Sequence, residues 1–399
     1  MRTILSGARL ALPDAILEIG SLVLDDGVIA DVRAGAIARG NEGREDWHDV
    51  RGHLIVPGFI DVHVHGVEGV DTLATVDAVA RLAAKLPRYG VTGFCPTTVA
   101  CPPAALRRLL DGIRAARHTN PSGHAAVLPA HLESNFINPE FRGAQPVVCL
   151  RLPTSDVRPG VDGDGPFSGQ EILDEIARAR AEVGILTIAP EIDGGLDLIR
   201  ALCAHGHIVS LGHSSAGYEK GLAGVDAGAR HATHLFNRMP PFSHRAPGLV
   251  GAVIQRSEVC AEIVCDGYHV HPIVARTAIA ALGRARTMAI TDGTAGAGLP
   301  IGSTVPLGSH TIRVAAEAAF LADGTLAGST LTMDGAFRTL TTSFGVSEVD
   351  AAHLCATTPA RQLGLSDRGR LVVGQRADVA VLDPDLHVVR TFVAGMPWQ

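Results

Sequence analysis

The 399-residue chain predicts an α/β fold: a (β/α)8 barrel with a small β-rich domain built from both chain ends. Three observations predict it. Apolar strand-like runs alternate through the middle of the chain with helix-like segments of about 10 to 15 residues, the pattern of repeated βα units around a parallel sheet. Both ends read instead as short strands and turns. Histidine or carboxylate residues recur where the central strands finish, the end at which barrels carry their chemistry.

The small domain is expected at residues 1–55 and 360–399. "AILEIGSLVLDDGVIADVRAG" places the turn Asp25-Asp26-Gly27 between apolar stretches, a hairpin signal. "GRLVVGQRADVAVLD" and "HVVRTFVAG" have the same character. The barrel is expected over residues 56–359. Its eight strands are read at Phe59–His65, Val91–Thr98, Ala126–Glu133, Gly184–Pro190, His207–His213, Arg230–Leu235, Cys260–Cys265 and Thr287–Asp292. Helices fall between them in "TVDAVARLAAKLPRYG", "PAALRRLLDGIRAAR", "SGQEILDEIARARAEVG" and "GLDLIRALCAHG". The Gly-, Pro- and Asp-rich stretch from Arg151 to Gly169 reads as a long, mobile loop near the barrel mouth.

Composition narrows the function. Hydrophobic residues are 46% and charged residues 19%, so a large core is expected. The net charge is −7, with no basic block, which argues against nucleic acid, whose phosphates need clustered Lys and Arg. No apolar run is long enough to span a membrane, and the first twenty residues meet Asp14 and Glu18 too early for a signal peptide. Seven cysteines without a C-x-x-C read as reduced core residues, so a cytoplasmic protein is expected.

"VPGFIDVHVHG" poses the chemical question. In a strand, alternate side chains share a face. Phe59, Asp61, His63 and His65 should therefore face one way, and Ile60, Val62 and Val64 the other. Strand 3 ends in His131 and Glu133, strand 5 in His213, strand 6 in His234 and strand 8 in Asp292; His269 and His271 follow strand 7. A single histidine in such a place is usually a hydrogen-bonded structural residue. So many buried polar groups need a shared partner, and imidazoles with carboxylates suit Zn²⁺ or Fe²⁺ rather than Mg²⁺ or Ca²⁺.

At these residues the chain resembles the amidohydrolase superfamily, and within it the N-acetylglucosamine-6-phosphate deacetylases. The likeness runs through "PGFIDVHVHG", "HLESNFINPEFRGAQ", "LGHSSAGYEKGLAGVDAGARHATHLFNRMPP", "HRAPGLVGA", "DGYHV", "TDGTAGAGLP", "AGSTLTMDGAFR" and "TPARQLGLSDRGRLVVGQRADVAVLD". The resemblance implies a metal-dependent (β/α)8 barrel with a small β-sandwich domain formed by both chain ends, in which Glu133, His213 and His234 hold the principal metal. His63 and His65 would hold a second where one is bound, giving one or two ions, with zinc favoured and iron the other candidate. Asp292 matches the catalytic acid/base. His269, Asn237 and Arg245 match groups that bind the sugar and its phosphate, Arg245 reaching into the neighbouring active site of a homodimer. His271 has no counterpart and reads as structural or surface. The only lysines are Lys85 and Lys220; the fourth strand has none, which argues against a carbamylated-lysine site.

The chain departs from the family around the substrate. Ser134-Asn135 replaces Gly-Pro. Gln145 replaces a histidine that helps to hold the acetyl carbonyl. Arg238 stands where alanine is usual, and Ile301 where an acid is common. Gln145 and Arg238 are therefore expected among the substrate-binding residues. The resemblance implies removal of the N-acetyl group from an amino-sugar phosphate, foremost N-acetylglucosamine 6-phosphate, giving acetate and the amine. The alternatives are deacetylation of another N-acyl sugar, such as N-acetylgalactosamine 6-phosphate or an unphosphorylated or acidic sugar; an N-acyl amino acid; more distantly, a cyclic amide; and, in a different class, a non-catalytic sugar-phosphate sensor.

Overall fold

The computed structural model describes residues 2–40, 45–161, 163 and 165–398. Within the loop expected at Arg151–Gly169, residues 162 and 164 lie outside the described residues. The fold class is the one read from the sequence. Eight parallel strands form the barrel: Phe59–Val64, Val91–Thr98, Ala126–Val127 continued at Ala130–Leu132, Val183–Ile188, Ile208–Leu211, His231–Ala232, Cys260–Val264 and Thr287–Ile290. The third strand breaks at Leu128-Pro129, because proline has no N–H to give to the ladder. Last and first strands meet just beyond their ends: the Asp292 N–H donates to His63 O at 2.9 Å and the His65 N–H to Gly293 O at 2.8 Å.

Helices Ala78–Lys85, Pro103–Thr119, Gly169–Arg178 and Gly195–Ala204 occupy the segments expected for them. The third starts at Ser168, whose hydroxyl and Glu171 form a reciprocal cap. The long loop is stitched rather than loose: the Arg151 guanidinium donates to the carbonyls of Phe167, Val148, Leu150, Arg158 and Pro159 and lies 3.6 Å from the centre of the Phe167 ring.

The chain ends share one eight-stranded sheet. Its path runs Met396–Pro397, Val388–Val393, Val379–Leu382, Leu54–Pro57, Thr3–Ala11, Ile16–Asp25 and Val28–Ala34, with Asp46–Asp49 also paired to Thr3–Ala11. Leu5, Leu10, Leu22, Ile55, Val381 and Phe392 form its core. An unexpected three-stranded antiparallel excursion, Thr304–Leu307, His310–Val314 and Ala319–Phe320, follows the last barrel strand.

The first strand corrects the expected alternation. Its register against the second strand is irregular between Asp61 and Val64. Ile60 and Val62 pack with Cys95, Leu128, Ile185 and Ile290. Phe59 and Val64 join the apolar side chains of the covering helices. Asp61 lines a small cavity of about 220 Å³ with Val64, Val67 and Leu86, so it does not accompany His63 and His65. An extra residue in one strand flips every side chain beyond it. That flip turns both histidines towards the barrel centre.

Candidate metal centre

Glu133 directly follows the third strand. His213, His234 and Asp292 each stand two residues beyond the ends of strands five, six and eight. All three of these have positive φ, at 46°, 26° and 48°. Non-glycine residues adopt that conformation at a cost, and such strain collects where a site demands a direction. The shared turn swings each side chain inward over the barrel axis.

The result is one buried cluster. The Nε2 atoms of His213 and His234 each lie 2.8 Å from Glu133 Oε1 and 3.0 Å from each other. The Nε2 atoms of His63 and His65 are 3.2 Å apart. Asp292 Oδ1 lies 3.4 Å from the former and 3.2 Å from the latter. Glu133 Oε2 lies 3.5 Å from His65 Nε2, so Glu133 stands between the two histidine pairs. Glu133 is shared by two three-residue donor sets, one with His213 and His234 and one with His63 and His65. Imidazole and carboxylate donors at this spacing fit a divalent transition metal, and the first set provides three protein ligands with a position to spare.

The electrostatics agree. Burial alone would raise the Glu133 carboxyl, but His213, His234 and His63 hold it well below the usual carboxylate range. Burial pushes His63 down, yet Glu262, Asp292 and Glu133 push it up to about 10. Three carboxylates around one imidazole make a place that attracts positive charge.

A cavity of about 480 Å³ opens onto the cluster. His269, Asn237, Arg238 and Gln145 all line it, with His65, Glu133, His213, His234 and Asp292. Leu307 and Leu326, from the unexpected excursion and the segment after it, complete the wall. His269 Nδ1 is 2.5 Å from Asp266 Oδ2. Arg238 is exposed, with φ 52°, and lies over Gly143, where a Cβ would fall 2.7 Å from Arg238 Nε. The Gln145 amide accepts from the Ala100 N–H at 2.6 Å and donates to Glu133 Oε2, so it turns to a cluster carboxylate. Arg245 is exposed and is not part of this lining. His271 is exposed and caps the helix Pro272–Leu282, accepting from the Ile273 N–H. Two of the departures serve the framework: Ser134 Oγ donates to Thr187 O at 2.5 Å, and Asn135 Nδ2 donates to Cys101 O and Cys149 O. Ile301 is exposed.

Sequence reasoning missed Glu262. It sits within the seventh strand and is fully buried. Its carboxylate lies 2.9 Å from His63 Nδ1 and 2.8 Å from His231 Nε2. Burial would raise its carboxyl, but His63, His131 and His231 hold it well below the ordinary range. An acid interrupting "CAEIVC" was the available signal.

The amidohydrolase family matches residues 54–397 of the chain. The chain is 34% identical over 348 residues to the N-acetylglucosamine-6-phosphate deacetylase of Bacillus subtilis, covering 86% of this chain and 84% of that one. It is 32% identical over 397 residues to the N-acetylgalactosamine-6-phosphate deacetylase of Escherichia coli O157:H7, covering 99% of each. Among solved structures, the N-acetyl-D-glucosamine-6-phosphate deacetylase of Mycobacterium smegmatis, in complex with N-acetyl-D-glucosamine-6-phosphate, superposes with a TM-score of 0.88 at 32% identity, over 100% of this chain and 99% of that one.

Proposed function

The chain belongs to the amidohydrolase family, and from that premise we propose that it removes the N-acetyl group of an amino-sugar phosphate, foremost N-acetylglucosamine 6-phosphate, releasing acetate and the amine. It is a hydrolase of amide bonds. The observation that carries the reading is the meeting of Glu133, His213 and His234 in one cavity with Asp292. The relative from E. coli, matched along 99% of both chains, favours N-acetylgalactosamine 6-phosphate as the second reading.

In this reading Glu133, His213 and His234 hold the principal ion, and His63 and His65 a second where one binds. A divalent cation at such donors supplies polarisation of the amide carbonyl and acidification of water. Zinc suits the ligands best, with iron the other candidate. Asp292 accepts the proton of the attacking water as its oxygen bonds to the acetyl carbon. It then delivers the proton to the departing nitrogen as the C–N bond breaks. His269, Asn237, Arg238 and Gln145 take the sugar and its anionic group, and the partner subunit's Arg245 completes a homodimeric site. The division into a terminal β unit, 1–55 with 360–399, and a catalytic barrel, 56–359, belongs to the same proposal, as does a cytoplasmic location. Among the described residues no helix is long and apolar enough to cross a membrane.

The test is acetate release by protein reconstituted with zinc or iron, across N-acetylated sugars with and without 6-phosphate. Turnover of a 6-phosphate sugar is expected, and none on any of them would overturn the reading. Asp292→Asn should lower turnover roughly 10²–10⁴-fold with metal content unchanged. Full turnover in that variant would remove Asp292 as the base.

A further inference from the structure

We propose that Glu262 is a positioning residue of the metal centre, holding the two histidine sets in one register; the inference rests on the functional reading above. Three contacts carry it. The His63 Nδ1–H donates to Glu262 Oε2 at 2.9 Å, which turns His63 Nε2 towards Glu133 and Asp292 and makes it the nitrogen that would meet a metal. The same oxygen accepts the backbone N–H of His234 at 3.1 Å. The Glu262 backbone carbonyl accepts the Leu235 N–H at 2.8 Å. One carboxylate oxygen therefore orients a ring in the second donor set and fixes the backbone of a ligand in the first.

The need for such a group is visible at His234. Its ring Nδ1 finds no hydrogen-bond partner among the described residues, and its backbone stands at φ 26°. Apart from Glu133 and His213 at Nε2, nothing bonded to the ring holds it, so its placement leans on the backbone. His213, by contrast, has its Nδ1 2.7 Å from Phe141 O and depends less on its main chain. The other Glu262 oxygen is anchored from below. His231 Nε2 lies 2.8 Å from Oε1, and the Gln362 amide reaches His231 Nδ1 at 3.4 Å, which leaves the His231 proton on the nitrogen facing Glu262. The carboxylate is thus pinned on both oxygens and cannot rotate away. A carboxylate behind a metal-ligating imidazole fixes its tautomer and raises its basicity, and losing one typically weakens metal binding 10- to 100-fold.

Glu262→Gln puts an N–H either where His63 and the His234 backbone present theirs or where His231 does, so on one side a contact must break or an imidazole change tautomer. Metal affinity is measured by competition with a chromogenic chelator, stoichiometry by elemental analysis, and ligand geometry by the visible absorption of the cobalt-substituted protein. Glu262→Gln is expected to bind zinc roughly 10- to 100-fold more weakly than wild type and to shift the cobalt bands. Thr187→Val is the structural control. It disturbs the neighbouring hydrogen bonds to His131 and Thr233 without touching Glu262, and should lower the melting temperature but leave zinc affinity in place. Should the glutamine variant not fold, Glu262→Asp, which keeps the charge but draws it back from His63, is expected to show the same weakening. Wild-type affinity and an unshifted cobalt spectrum in the folded variant would overturn the inference, as would equal weakening in Thr187→Val. Failure of the wild type itself to bind zinc, iron or cobalt would instead sink the functional reading.

Discussion

Arg238 concentrates the question of which anion this chain reads. Its side chain crosses Gly143 at the mouth of the cavity, a crossing that a Cβ at position 143 would obstruct. Its backbone holds φ 52°, a conformation in which arginine has no intrinsic advantage. A guanidinium kept there at that cost suits the recognition of phosphate or carboxylate, which its planar fork can grip with two bonds. Arg238→Ala should raise KM for a 6-phosphorylated substrate about tenfold or more, since a hydrogen bond to a charged group contributes roughly 1.5–3 kcal/mol. KM for the unphosphorylated sugar should stay where it was. Steady-state kinetics on the two substrates checks this, and equal losses on both would show that the residue shapes the loop rather than reads charge. Gln145 shows how a neighbouring departure changes meaning once contacts are known. The sequence marks it as a substitution beside the substrate; its bonds to Ala100 and Glu133 turn its amide towards the cluster carboxylate.

The first barrel strand shows which part of an element a sequence reveals. Its existence, its direction and the histidines at its end follow from an apolar run ending in imidazoles. Its internal register does not, because a bulge leaves no mark in the hydrophobic pattern. Asp61 consequently faces an apolar cavity, where burial raises its carboxyl to about 6 against the pull of the Thr291 hydroxyl, which donates at 2.6 Å. A folded-state value above the unfolded one stabilises the fold at low pH. The contribution is complete below the unfolded value of 3.8 and is lost as pH rises through about 6. Asp61→Asn keeps an acceptor for Thr291 and cannot ionise. It should therefore match wild type near pH 4 and exceed it in stability at pH 8 by up to roughly 3 kcal/mol, at 1.36 kcal/mol per unit of pKa. Urea unfolding across that range decides it; a constant difference between the two proteins would rule out Asp61 as the titrating group. The same limit explains the other omissions. Glu262 lies mid-strand, where side-chain direction depends on a register that only the folded barrel sets. The excursion from Thr304 to Phe320 forms a three-stranded sheet separate from the barrel, so nothing in the βα rhythm announces it.

At the scale of the whole molecule, the site depends on chain segments that no local signal connects. The six residues proposed to ligate metal or move protons, His63, His65, Glu133, His213, His234 and Asp292, come from the ends of five strands, and the barrel alone brings them together, which is why polar residues recurring at strand ends were the most legible part of the sequence. Arg245 is the exception: it is exposed and outside the lining of its own cavity. In the proposed homodimer each active site takes Asp292 from one subunit and Arg245 from the other. Arg245→Ala and Asp292→Asn should then each be nearly inactive as pure proteins, for different reasons. Mixing them under conditions that exchange subunits creates heterodimers in a two-fold arrangement. One site of each heterodimer lacks both groups. The other pairs an intact Asp292 with an intact Arg245. Random exchange should restore about one quarter of the wild-type activity per site, because half the dimers are mixed and half their sites are whole. If Arg245 served its own subunit, every site in the mixture would still carry one lesion, and mixing would restore nothing.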